Sequence, residues 1–321
     1  MMTNRPGNSM GRSRKGRAFT LLEVMLAISI LVVLMVMMGS MTSHVGKIWN
    51  TVNAQNQRRT VARALVQFMA SEIQTATLPV PDTSGTGVSG TQNLQFAVNL
   101  SSVGIPSTCM NSHAIFFQAP VAKNTTQGVV AAVGYFVQWD TTTNPRKPTA
   151  YLSRYYADPS KASDYLVYTT STWASNALSV ASTIPPTYTG WIADNVIALW
   201  IRCLDTKGVP ITLNASGRAF DSSSVFAFDS AQGYTDPSTS VVHRAPAFPP
   251  CVEITVVVVD SDAAQRIKTA PTIPLPSDPA DLIKGKSTPG SILNFVDQLP
   301  AKVKSGAEIF TTTVYLPSGT N

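Results

Sequence analysis

The longest apolar run in the chain covers residues 19–38, FTLLEVMLAISILVVLMVMM, and Thr20, Glu23 and Ser29 are its only polar members. About twenty residues rising ~1.5 Å each span the hydrocarbon core of a bilayer, so the run predicts a transmembrane helix. Glu23 stands out within it. A carboxylate at that depth costs a few kcal/mol unless something pairs with it, and an intramembrane acid is a functional site by default. A plain anchor has no use for one.

Helical periodicity persists beyond the run. No proline occurs between Pro6 and Pro79. Val45, Ile48, Trp49 and Val52 form one apolar stripe, and Val61, Leu65, Phe68, Met69, Ile73 and Ala76 continue it. Residues 53–59, between the two stripes, are polar and mark a place to fray or bend. The pattern predicts one helix over 19–77, closed by Pro79 and Pro81. Its amphipathic half should bury its stripe on the domain that follows, since the spacing is too short and broken for coiled-coil heptads.

After residue 90 the period changes to that of strands. Residues 114–118, 129–139, 151–156, 191–204, 252–260 and 310–316 are rich in β-branched and aromatic side chains. The clearest is VEITVVVVD at 252–260. The last, FTTTVYL, alternates Phe310, Thr312, Val314 and Leu316 against Thr311, Thr313 and Tyr315. Loops are expected at 157–190, 214–250 and 269–289, the last Pro-rich with one short helix near 280–284. The expected fold class is α+β: a long amino-terminal helix, transmembrane then amphipathic, packed on an antiparallel β-sheet domain. The expected divisions are a leader at 1–18, a membrane helix at 19–41, its amphipathic continuation at 42–78 and a β-rich domain at 79–321.

Charge sharpens this division. Arg5, Arg12, Arg14, Lys15 and Arg17 precede the apolar run and no acid accompanies them, which marks residues 1–18 as a cytoplasmic flank. The net charge of +6 is mostly theirs; the remainder holds 19 basic against 18 acidic residues. That balance gives no reason to invoke nucleic acid. Only 13% of the chain is charged, which suits an exported β-rich domain better than a cytosolic enzyme.

Candidate chemistry is sparse. The three histidines, His44, His113 and His243, have no nucleophile-elbow motif beside them, and no HExxH or P-loop occurs. Gly85, Gly87 and Gly90 satisfy GxGxxG formally, yet they follow a Pro-rich break rather than a strand, so a dinucleotide reading fails. Asp260 and Asp262 have a solvated turn as their bland reading and a cation site as the sharp one; no dense run of further oxygen ligands favours the latter. No cofactor, metal or catalytic residue is expected. Cys109, Cys203 and Cys251 allow one disulfide in an oxidising compartment. Cys203 ends one predicted strand and Cys251 begins another, so they are the chosen pair, weighed equally against three unpaired thiols.

The leader RKGRA followed by FTLLEV resembles the type IV prepilin and pseudopilin superfamily. The resemblance implies that a prepilin peptidase cuts between Ala18 and Phe19 and methylates the new amine. Glu23 is then the fifth mature residue, where the family keeps its glutamate. Ala18 departs from the family's preferred glycine; cutting after Gly16 restores glycine but moves Glu23 two positions out of register. In an assembled filament Glu23 would neutralise the amine of a neighbouring subunit, whereas an incidental charge would only snorkel to the headgroups.

A finer likeness covers most of the chain. RALVQFMASEIQTAT, the Tyr135 strand, the Leu152-Ser153-Arg154 strand and the closing strand are similar to the minor pseudopilin J of type II secretion. Tighter still is the likeness to the prepilin-type family called Verru_Chthon cassette protein C, carried by Ile48-Trp49, QTATLP, HAIFFQAP, GYFV, ADNVIALWI, FPPCVEITVVVVDSDAAQRI and IFTTTVYL. These imply a minor pilin-like structural subunit of a type II secretion or type IV pilus-like filament. Its expected place is a single-pass inner-membrane protein with its carboxyl-terminal domain in the periplasm. Its expected partners are the prepilin peptidase, other pilin-like subunits and an inner-membrane assembly platform. The rival readings are a membrane-tethered periplasmic binding or adhesion protein and a tethered enzyme.

Overall fold

The computed structural model describes residues 20–78, 94–106, 109, 112–123, 128–140, 149–177, 190–220, 226–269 and 292–316. Two compact units divide the chain, 1–54 and 55–321. Helix α1, Leu21–Gln74, contributes to both.

In the first unit α1 opens on Thr20. Its Oγ1 accepts from the Glu23 N–H at 3.3 Å, and its carbonyl accepts from the Glu23 and Val24 N–H groups at 3.0 and 3.2 Å. Thr-x-x-Glu is the spacing of a helix start, with the hydroxyl capping the third N–H. Large apolar side chains from Leu21 to Val52 are exposed all round. Leu21–Trp49 is the one helix, among the described residues, long and apolar enough to cross a membrane, with mean hydropathy 2.8. Ser29, Ser40 and Thr42 each donate to a carbonyl three or four residues back at 2.8 Å. Their hydroxyls are thus satisfied inside the helix, as an apolar medium demands.

In the second unit α1 buries Ala62, Leu65, Val66, Met69 and Ile73. The expected stripe is rotated: Val61 and Phe68 are 53% and 43% exposed. At ~100° per residue those two lie roughly a fifth of a turn off the line through Leu65 and Met69, and the small Ala62 and Val66 take the inward places on its other side. Helix α1 stops at Gln74, short of 77, and Thr77 donates its N–H to the Gln118 carbonyl at 2.8 Å. The approach of Pro79 disfavours helical backbone just before it. The polar stretch 53–59 stays helical. Its charges serve docking within this unit: Arg58 reaches the Gly306 carbonyl and lies 3.7 Å from Asp260, and Arg59 holds Glu308 at 2.8 Å.

Strands β1 to β5 are Ala97–Val98, Ile115–Ala119, Ala131–Asp140, Thr149–Ala157 and Trp191–Asp194; β6 is Val196–Leu204. The short β7 (Phe228–Asp229), β8 (Tyr234–Thr235) and β9 (Val242–His243) fall inside the expected loop 214–250, and β10 (Cys251–Val259) and β11 (Ala307–Tyr315) close the order. Sheet one runs β5-β4-β3-β2-β1-β7 and sheet two β11-β10-β6, antiparallel throughout. The single strand expected over 191–204 breaks at Asn195, whose φ of +62° turns the chain from sheet one into sheet two. Asn tolerates that left-handed conformation better than most side chains.

One core joins the inner face of α1, sheet one and one face of sheet two. A second, smaller core covers part of the other face of sheet two, where Trp200, Val257 and Val259 meet Phe295, Leu299 and Val303. Helices α2 (Ser261–Ala264), α3 (Ile292–Gln298) and α4 (Ala301–Lys304) supply that cover, and the sequence pattern predicts none of them. Strand β10 is therefore buried on both sides, which is why VEITVVVV is continuous rather than alternating. The expected helix near 280–284 and the GxGxxG loop lie outside the described residues.

Candidate assembly site on the amino-terminal helix

Glu23 sits at the third position of α1, where an acid complements the unpaired N–H groups of a helix start. Its side chain is exposed and no hydrogen bond or ion pair is formed by its carboxylate among the described residues. Around it Leu21, Leu22, Val24 and Met25 are 79%, 79%, 46% and 64% exposed. The arrangement is one anionic group on a helix that is otherwise apolar on every side. Ala18 and Phe19, the expected cleavage and methylation residues, lie outside the described residues.

The other sequence candidates sit in quieter places. His44 Nδ1 lies 2.7 Å from the Ser40 carbonyl, one turn back on its own helix. His113 is fully buried, with Nδ1 2.8 Å from both the N–H and the carbonyl of Ile201, and its ring stacks on Phe226. Burial lowers its pKa to about 4, with a smaller push from Arg202, so the ring is neutral near pH 7. His243 stacks on Tyr234 with centroids 4.4 Å apart. Asp260 caps α2 by accepting the Ala263 N–H at 2.6 Å and faces the Arg58 guanidinium, so its charge is already answered. Among the described residues no three His, Cys, Asp or Glu side chains cluster as metal ligands would.

All three cysteines are buried and free. The Cys203–Cys251 pair is not formed, for a reason that lies in the register. Cys203 is opposite Val252 and Cys251 opposite Leu204, so the two side chains leave opposite faces of sheet two. Burial raises every one of these thiols, Cys109 to about 12.

Two buried ionic clusters were not foreseen from the sequence. Glu72 of α1 accepts from Arg154 of β4 at 2.7 and 2.9 Å and from the Tyr135 hydroxyl. Arg202 of β6 and Glu253 of β10 are cross-strand partners and form an ion pair with each side chain 10% exposed. The legible signal was the interruption itself: Glu72 lies between Met69 and Ile73, and Glu253 within a run of aliphatic residues.

Comparison with known proteins adds one finding. Residues 13–39 match the family model described as the prokaryotic N-terminal methylation motif, the type IV pilin-like signal. The matched region spans Arg14, Lys15 and Arg17 of the basic flank, the Ala18–Phe19 bond, Glu23 and the apolar run. It supports a type IV pilin-like precursor processed at its amino terminus by prepilin peptidase. No curated protein and no solved structure matches the chain.

Proposed function

We propose that this chain is a minor pilin or pseudopilin-like structural subunit, without catalytic activity, of a type II secretion or type IV pilus-like filament. Prepilin peptidase removes residues 1–18, the amine of Phe19 is methylated, and Glu23 neutralises the amine of a neighbouring subunit as the apolar helices pack. The precursor is a single-pass inner-membrane protein whose basic flank keeps the amino terminus cytoplasmic and sends the β-rich part to the periplasm. The observation that carries this reading is the methylation signal joined to a helix exposed on every side with one acid in its first turn. The finer assignment, to a J-like subunit of the Verru_Chthon cassette protein C kind, rests on the sequence segments alone. Mass spectrometry of protein recovered from native envelopes tests the processing step. A mature chain beginning at methylated Phe19 is expected; a chain retaining residues 1–18 refutes it.

A further inference from the structure

Beyond α1, nine large apolar side chains are exposed among the described residues, and five of them gather at one end of the β-rich part. They are Val209, Leu213, Val241, Val242 and Tyr315, between 40% and 72% exposed. Three tight turns hold the first four. Turn 205–209 is closed by the Asp205 N–H on the Val209 carbonyl at 2.9 Å, 214–218 by Asn214 on Arg218 at 2.8 Å, and 236–241 by Asp236 on Val241 at 2.8 Å. The turns are tied to one another. The Ser238 hydroxyl donates to Asp205, and the Thr235 N–H and hydroxyl donate to the Leu213 and Asn214 carbonyls at 3.0 and 2.9 Å. Tyr315, at the end of β11, shares an open groove with Lys207, Gly208 and Pro210 of the first turn.

The polar backbone of the turns is satisfied from within. Asp205 accepts the N–H groups of Lys207 and Val209, Asn214 those of Ser216 and Arg218, and Asp236 those of Ser238 and Thr239, at 2.8 to 3.0 Å. This draws the acids inward: Asp205 and Asp236 are 0% and 5% exposed. Lys207, Arg218 and Arg244 are exposed, whereas none of the acids described between 205 and 245 is. A partner that approaches this end therefore meets apolar side chains and positive charge first, with the carboxylates behind them and answered by N–H groups.

We propose that these turns dock on the surface of an anionic phospholipid bilayer: the aliphatic side chains and Tyr315 enter the headgroup region, and the three cations meet phosphate. Three features favour lipid over a protein partner. Turns whose backbone groups are bonded internally give up little on leaving water. Aliphatic side chains interleaved with cations, with a tyrosine beside them, are the pattern of interfacial binding, whereas protein hot spots favour aromatics seated in a pocket. The chain also carries its own helix long and apolar enough to cross a membrane, which keeps it beside phospholipid. The surface lies wholly within residues 55–321, and its docking requires neither leader removal nor filament assembly.

The test uses the full-length chain in sealed phosphatidylcholine vesicles, with residues 1–18 enclosed and the β-rich part outside, so that the basic flank cannot take part. Biotinylated target vesicles are added and captured. Targets containing phosphatidylglycerol should retain the chain, targets of phosphatidylcholine alone should retain about tenfold less, and added salt should release it. Amide exchange should slow over residues 206–209 and 240–243. One variant combines Lys207→Gln, Arg218→Gln and Arg244→Gln; another combines Val209→Ser, Val241→Ser and Val242→Ser. Each should weaken capture about tenfold with thermal unfolding unchanged, because every substituted side chain is exposed. No capture by the anionic targets, equal capture by neutral ones, wild-type capture of either variant, or protection of a different surface overturns the proposal. Saturable binding of a soluble peptide of alternating Glu and Val in place of vesicle capture also overturns it and reassigns the surface to a protein partner.

Discussion

Glu72 on α1 and Arg154 on β4 meet at 2.7 Å, with side chains 11% and 17% exposed, and so tie the helix to sheet one by charge rather than by packing alone. Arg154 also lies 4.9 Å from the Tyr156 ring centroid and 6.0 Å from that of Phe68. Burial, then the neighbouring Glu72, pushes the Tyr135 hydroxyl well up, so it donates at any physiological pH. Removing one partner of such a pair strands the other charge, which costs about 3–5 kcal/mol. Arg154→Met is therefore expected to destabilise the protein by that order in chemical denaturation. The double variant Glu72→Leu with Arg154→Met should recover part of the loss, since an apolar replacement of both ions leaves only the Tyr135 hydroxyl without its acceptor. A double variant as unstable as the single one would mean that the contact is packing, not charge.

Gly134 on β3 faces Phe116 on β2 in register. A Cβ at Gly134 would stand 2.4 Å from Phe116 Cδ1, inside van der Waals contact, with the ring held by Phe136, Tyr155 and Trp173. Gly134→Val should cost about 1–3 kcal/mol or more through overpacking, read as a lower denaturation midpoint. Adding Phe116→Leu to that variant should restore part of the stability.

His113 makes folding depend on pH. Its folded pKa near 4 lies below the ordinary 6.5 of an unfolded histidine, so the unfolded chain binds the extra proton first. Stability contributed by the neutral buried ring is complete above about pH 6.5 and falls as the pH drops toward 4. The full effect is about 3 kcal/mol, since each tenfold loss of proton affinity on folding is worth ~1.4 kcal/mol. Arg202 is the charged group acting on the ring, and it does not titrate in this range. Urea unfolding of the wild type and of His113→Asn at several pH values isolates the contribution. The difference between them should shrink from pH 7 to pH 4, and a constant difference would assign the pH dependence elsewhere.

Three buried thiols should behave as one class. Each is raised by burial, so a thiol reagent at pH 8 is expected to label none of them in the folded protein and all three after denaturation without reductant. Labelling of one thiol alone in the denatured chain would reveal a disulfide.

What the sequence made legible follows from how strongly chemistry constrains each segment. An acid inside twenty apolar residues has few explanations, so FTLLEV announced both the long apolar helix and its odd residue. The strands at 131–140 and 251–259 could be placed within two residues because aliphatic and aromatic runs admit little else. The rotation of the α1 stripe was not legible: Val61 and Phe68 are as apolar as Ala62 and Val66, and only the facing sheet decides between them. Strand β10 carried a signal that went unused. A strand apolar on both faces needs cover on both, and that cover is α2, α3 and α4, each at most seven residues long and too short for a periodic pattern. Arg154 meeting Glu72 spans 82 positions and was beyond reach without the fold.

Glu23 carries the sharpest functional expectation. A lone carboxylate on an apolar helix opposes membrane insertion by roughly 3 kcal/mol, so Glu23→Leu should insert and accumulate at least as well as the wild type. Assembly should respond in the opposite direction, because the acid gains only when a neighbour's amino-terminal cation reaches it in low dielectric. Leader removal should be unaffected, since the scissile bond is unchanged, whereas the share of protein recovered in sheared or pelleted filaments should collapse. Glu23→Gln separates charge from hydrogen bonding: it retains the acceptor oxygen but cannot neutralise an amine, and so should fail like the leucine variant. Either variant entering filaments at the wild-type level would show that the charge is dispensable and that the helix is only a tether.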